Sequence, residues 1–153
     1  MQILINCSVS DGPGNWLHRS RVLGQVIMPL LEANVTNNRL YLQLHKNVPA
    51  LYASKVRYEN EPAWTFQGQP VEEFALIPIV IARGWGDCDD LSPWRVSELQ
   101  EHGEPAKIRI QWKREIFPNG KRGRKYFHIV VRRGDGRTIE DPSALLGMHE
   151  RMG

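Results

Sequence analysis

Apolar residues fall at helical spacing early in the chain. Val22, Leu23, Val26, Ile27, Leu30 and Leu31 form one stripe, interrupted by Gly24 and by Pro29, which is expected to kink or end the helix. Asn37-Asn38 then reads as the cap of a second helix, with Leu40, Tyr41, Leu44 and Val48 on its buried face and Pro49 at its end. Ahead of both, residues 2–9 read as a short strand. Residues 51–74 lose all period: Tyr52, Tyr58, Trp64 and Phe66 stand among prolines, glycines and acids. Such a segment either lines a cleft or plugs a loop onto the core. Phe74 to Ile81 is strongly apolar, and Pro78 argues against a central strand there.

The second half is more regular. Asp87 caps a tight first turn at Cys88, and Ser92-Pro93 is expected to start a regular helix running to about His102 and ended by Gly103. Lys107 to Trp112 alternates cleanly as a strand with one buried face, and Tyr126 to Arg133 is the next. Between them, Lys113 to Lys125 is a basic loop or hairpin tip. Gly134-Asp135-Gly136 is the strongest hairpin signal, with Arg137 to Asp141 as the return strand and residues 142–153 as a short helix or tail.

That hairpin places chemistry. Cys88, His128 and Asp141 occur in that order, 40 and then 13 residues apart. A loop at Gly134-Asp135 sets His128 opposite Asp141. A loop at Asp135-Gly136 sets Asp141 opposite Val130, one diagonal step from His128 on the same face. Either register leaves imidazole and carboxylate as neighbours. A thiol beside a base, with a carboxylate orienting the base, is the arrangement of an activated nucleophile. The competing reading is a buried cysteine, a strand histidine and a helix-capping aspartate. A helix N-terminus and an imidazolium lower a thiol pKa, whereas Asp87, Asp89 and Asp90 raise it unless they point away. The Cys88 N–H is a natural oxyanion donor, Gly86 leaves room for a substrate to approach the backbone, and a second donor comes from Trp64, Trp85, Gln67 or Gln69. A hard-cation site from Asp87, Asp89, Asp90 and His128 is a further alternative, although three acids so close together are more often helix caps.

Gly-Asp-Cys-Asp-Asp-Leu at 86–91, the helix after it, Gly-Glu-Pro-Ala-Lys-Ile at 103–108, Phe-His-Ile-Val-Val at 127–131, and Glu-Asp-Pro-Ser at 140–143 resemble the transglutaminase-like superfamily of papain-fold cysteine enzymes. The small stand-alone members encoded by tailed phages and prophages are similar in style, down to the segment Pro49 to Pro62 before the cysteine. The resemblance covers about residues 38–143. It implies an α+β fold with the cysteine helix packed on a small antiparallel sheet, preceded by an N-terminal helical extension over 1–37, all in one domain. It also implies Cys88 as nucleophile, His128 as general base and Asp141 as its orienter, without metal or cofactor, acting on peptide or glutaminyl amides through a thioester. Ser92-Pro93 departs from the alanine usual in the family's cysteine helix. The same fold also serves as a non-catalytic scaffold, so a structural or assembly protein of a phage particle is the alternative.

Composition narrows the setting. With 153 residues the chain is expected to fold as one domain. Two cysteines make no disulfide framework, which points to a reducing compartment such as host cytoplasm, or to incorporation in a virion. A Cys7–Cys88 bridge would silence the nucleophile. The start of the chain lacks a basic segment ahead of its apolar residues, so no signal peptide is expected, and no apolar run is long enough for a membrane span. The net charge of +3 is uneven: residues 107–137 hold 11 Lys/Arg against Glu115 and Asp135, a local +9 that leaves −6 for the rest. That asymmetry suits docking on an acidic protein surface, or on nucleic acid through 113–125 with a steep salt dependence.

Overall fold

The structure is a computed structural model that describes residues 16–62, 64–66 and 69–148. The N-terminal strand expected at 2–9, and Cys7 within it, lie outside them, as does Gln67. The described chain is a mixed α+β fold with small sheets.

A single helix, α1 (Trp16–Leu44), replaces the two helices expected from Pro29 and the Asn37-Asn38 cap. Pro29 removes one backbone bond from the helix interior. What carries the helix past it is a continuous buried stripe, Ile27, Leu31 and Val35. Asn38 does not cap. It is fully buried and its Oδ1 accepts the Ile77 N–H at 3.0 Å, tying α1 to the next apolar segment.

A 3-10 turn (Leu51–Ala53) and β1 (Arg57–Tyr58) follow, then β2 (Trp64–Phe66) and β3 (Gln69–Val71), which pair antiparallel. The apolar run then forms a short helix, α2 (Ile77–Arg83), with Pro78 in its first turn and Gly84 closing it at φ +77°. β4 (Trp85–Gly86) lies parallel to β1. Gly86 serves packing rather than a ligand: a Cβ there would meet Leu91, Asp90 and Val80 at 3.1–3.2 Å.

Next comes α3 (Cys88–Glu101), continuous through Pro93. The expected break between a first turn and a later helix does not occur. The Asp90 carboxylate reaches back to the Asp87 N–H at 3.3 Å, which starts the helix ahead of the cysteine. Buried Leu91, Trp94, Val96 and Leu99 hold it straight beyond the proline.

β5 (Ala106–Ile116) and β6 (Arg122–Arg133) form a long antiparallel ribbon, so the basic segment is largely strand with a short tip. β7 (Ile139–Glu140) adds a third strand, and α4 (Pro142–Leu145) follows at once. Residues 127, 129 and 131 of β6 pair with 112, 110 and 108 of β5. Val131 and Ile129 lie in the two apolar clusters shared with α1 and α3. A third cluster surrounds Trp94, with Leu51, Val56, Ala75, Ile77, Val80 and Leu91. The opposite face of the ribbon carries Lys107, Arg109, Gln111 and Lys113, paired with Arg132, Val130, His128 and Tyr126.

Glu140 ties the layers together. Its Oε1 accepts from Tyr52 Oη at 2.5 Å and from Arg95 Nε at 2.6 Å, and its Oε2 pairs with Arg133. Arg95 also holds Glu98, and Arg133 holds Glu104. Burial works against the Glu140 charge, but Tyr52, Arg95 and Arg133 outweigh it and hold the carboxyl below its ordinary range. A lowered folded-state pKa contributes stability above the unfolded value and loses it as pH falls through the folded one. Glu140→Gln is therefore expected to cost roughly 2 kcal/mol at pH 7, with the difference from wild type shrinking below about pH 4. Urea titrations of both proteins at pH 7 and pH 3.5 check this, and a difference unchanged by pH would contradict it.

Candidate active site

Hairpin register comes first. Val131 pairs with Glu140 and Arg132 with Ile139, so paired numbers sum to 271, the second of the two registers considered above. The loop is longer than two residues. Arg133 N–H bonds to Thr138 O at 2.9 Å, and Asp135 folds back onto the Arg137 and Thr138 N–H groups at 2.9 and 2.8 Å. Gly136 takes φ +71° to close it. Asp141, just past β7, lands beside His128: His128 Nε2 and Asp141 Oδ2 are 2.8 Å apart. The other oxygen, Oδ1, accepts the Ala144 N–H at 3.2 Å and caps α4. One carboxylate thus orients the imidazole and starts the helix that holds it. Burial pushes the Asp141 pKa up, but the His128 bond and charge, the Ala144 N–H and nearby Lys113 bring it below the usual carboxylate range. His128 is 3% exposed.

Cys88 arrives from the other side of β6. Strand β7 pairs only with Val131 and Arg132, so β6 has an open edge at 127–129. The amino end of α3 covers that edge, where Ser92 Oγ donates to the Ile129 carbonyl at 2.8 Å. Cys88, a free thiol, packs with the cluster that holds Ile129, next along the strand from His128. Side chains of consecutive strand residues point to opposite faces. Accordingly, no hydrogen bond joins the thiol to the imidazole among the described residues. Burial raises the thiol pKa strongly, Asp87 adds to it, the Ile129 backbone opposes it, and Glu72 and Asp90 raise it further. The lowered thiol expected from a helix N-terminus is overridden by this apolar, acid-lined position.

The Cys88 N–H stands at the first position of α3, where no intrahelical acceptor exists. Trp85 lies on β4 with the Arg83 guanidinium 3.8 Å over its ring, and Arg83 Nε donates to the Trp85 carbonyl at 2.9 Å. Trp64 and Gln69 stand on the β2–β3 hairpin, whose register brings Phe66 opposite Gln69.

The acidic side chains converge more than their spacing suggested. Glu61 and Glu72, from the irregular segment, reach Asp87, and Asp87 in turn adjoins Asp89 and Asp90. His128 belongs to neither group, so the cation alternative that included it is corrected: its imidazole is bound to Asp141 instead. No sequence period signalled Glu61 or Glu72, because their approach is a tertiary contact. Arg83, the counter-ion of Asp90, was also missed, although it stands seven residues before it.

On the ribbon, Ile116, Phe117 and Tyr126 are exposed near Arg114, Lys121 and Arg122, so aromatic and basic groups do mix at that tip. No helix among the described residues is long and apolar enough to cross a membrane. Compared with known proteins, the chain matches no family model, no curated protein and no solved structure.

Proposed function

We propose that the protein is a transglutaminase-like cysteine amidase of papain-like core, phage-encoded and acting on a peptide or glutaminyl amide. The observation that carries this reading is the 2.8 Å bond from His128 Nε2 to Asp141 Oδ2, on the strand whose edge the Cys88 helix covers. With Nε2 given to Asp141, Nδ1 is the nitrogen available as a base. In this reading His128 takes the thiol proton, and the Cys88 sulfur attacks the amide carbonyl to form a carbon–sulfur bond. The carbon–nitrogen bond breaks, and the amine leaves with the proton from His128. Water then attacks the thioester, releasing a carboxylic acid and restoring the thiol. A lysine amine in place of water gives a crosslink. The Cys88 N–H supports the developing oxyanion.

A second reading is favoured by the raised thiol pKa and the missing thiol–imidazole bond. In it the fold is a non-catalytic docking module of a phage particle, and the basic ribbon meets an acidic protein surface or nucleic acid. One experiment separates the two. The protein is incubated with a tryptic casein digest and its intact mass recorded, with and without hydroxylamine. The enzyme reading expects a covalent adduct on Cys88 that hydroxylamine discharges and that Cys88→Ala does not form. No adduct with any amide would favour the docking module, and unchanged turnover in Cys88→Ala would rule out Cys88 as the nucleophile.

A further inference from the structure

We infer that the carboxylates at the amino end of α3 form a site for a hard divalent cation, calcium in preference to magnesium. Oxygens of Glu61, Glu72 and Asp87 lie within 4.8 Å of one another, and those of Asp87, Asp89 and Asp90 do so too. Acidic clusters at a helix start are common and by themselves say nothing about a ligand. The deciding side chain is Asp89, which is 0% exposed and has no hydrogen-bond partner on either carboxylate oxygen. Asp87 Oδ1 and Glu61 Oε1 are buried and unpartnered too, and Asp87 belongs to both groups. What the Asp89 oxygens meet instead is other carboxylates, Asp87 and Glu72.

Ionised carboxylates accept hydrogen bonds and donate none, so two of them cannot satisfy each other. A buried, unpaired carboxylate is too costly to leave as it is. Asp90 is accounted for: its oxygens take the Ala75 N–H at 2.6 Å and pair with Arg83. It serves as a fixed wall of the site. The remaining oxygens need shared protons or a cation. Their spacing suits a cation. Calcium–oxygen distances of about 2.3–2.6 Å place opposite ligands up to roughly 5 Å apart. Magnesium needs shorter bonds in octahedral order and keeps its waters, which a fully buried Asp89 does not accommodate. The donor set is all oxygen, as a hard ion prefers. This inference stands whether or not Cys88 is a nucleophile.

Terbium, which takes calcium sites, reports binding directly through energy transfer from Trp85, two residues from Asp87. The metal-stripped protein is expected to give terbium luminescence on tryptophan excitation, displaced by calcium. Calcium at a hundredfold above its Kd should raise the melting temperature by about 5–10 °C. Magnesium at the same concentration should raise it less. Asp89→Asn should weaken binding at least about tenfold, in line with the loss of a ligand charge. Glu61→Gln, at the less buried rim, provides the same comparison should Asp89→Asn fold poorly. No terbium signal and no shift at about 10 mM calcium, well above the weakest class of calcium sites, would overturn the site in favour of shared protons. A larger shift with magnesium would overturn the preference for calcium.

Discussion

In the amidase reading, replacing Asp141 with asparagine should leave the fold almost untouched and stop the chemistry. The two oxygens of this carboxylate have separate tasks. Oδ1 caps α4 through the Ala144 N–H, and Oδ2 holds His128 Nε2. Asparagine caps a helix as well as aspartate does, so stability should stay within about 1 kcal/mol of wild type. With its one oxygen kept on the Ala144 N–H, its NH2 faces His128 Nε2 and favours the tautomer protonated on Nδ1, and the neutral amide does not stabilise the imidazolium as a carboxylate does. The expected loss in kcat/KM is about a thousandfold or more, similar to that of His128→Ala. Asp141→Ala should show the same rate loss plus roughly 1 kcal/mol of instability from the uncapped helix. Turnover of an amide that acylates Cys88, measured beside thermal melts of the three variants, gives both numbers. Wild-type turnover in Asp141→Asn with none in His128→Ala would mean that the carboxylate only caps α4.

The surroundings of Cys88 set a condition on that chemistry. Its thiol is packed against apolar side chains and faces Asp87, Glu72 and Asp90. Each of these disfavours the thiolate on which the amidase reading depends. Glu72 and Asp90 are themselves pushed toward their neutral forms by burial and by Asp87, and Glu61 is raised to about 7 by burial first and then by Glu72 and Asp87, against the Glu73 N–H. Neutralising the cluster therefore favours the thiolate, and a divalent cation at Asp89 does so more fully than shared protons. In the amidase reading, the proposed cation is thus linked to the nucleophile through one residue, Asp87. In the docking reading the same cation has a different part. It would tie Glu61 and Glu72 to the amino end of α3.

How much of this was legible before the structure depends on the range of the interaction. The ribbon was legible, because strand alternation and a Gly-Asp-Gly turn are local signals, and its register carried His128 to Asp141. The Asp87 cap ahead of Cys88 was one of two competing helix starts, and the expected regular helix from Pro93 gave way to one continuous from Cys88. Two prolines misled. Pro29 and Pro93 each carry a local preference against helix interiors worth about 3 kcal/mol. Both are overruled by burial, of Ile27, Leu31 and Val35 around one and of Leu91, Trp94 and Val96 around the other. Those contacts involve residues far apart in the chain. The convergence of Glu61 and Glu72 on Asp87, the Asn38 bridge to Ile77 and the Glu140 hub were illegible on the same ground. Apart from the Arg133 pair with Glu140, each is a polar contact spanning at least 15 residues, and no period marks it.

Trp94→Ala should be the most damaging single change to the fold, with a loss of about 3–5 kcal/mol. Trp94 is 0% exposed and lies in a cluster drawn from the 3-10 turn, the segment at 75, α2 and α3 itself. No other described side chain that is fully buried is as large. Removing it leaves a cavity that surrounding elements close only partly. It also frees α3 where Pro93 has already removed a backbone bond, so the amino end with Cys88 loses its fixed place against β6. At this chain length the melting temperature should fall by roughly 10 °C or more. Trp94→Phe should lose markedly less, since it keeps a ring in the space. Guanidinium titrations of both variants read the loss directly, with the slope unchanged if only the native core is affected. A loss under about 1 kcal/mol for Trp94→Ala would mean that α3 is held mainly by α1 and the ribbon. The site would then be anchored through Ser92 and Ser97, whose hydroxyls reach the Ile129 and Val35 carbonyls at 2.8 and 3.1 Å.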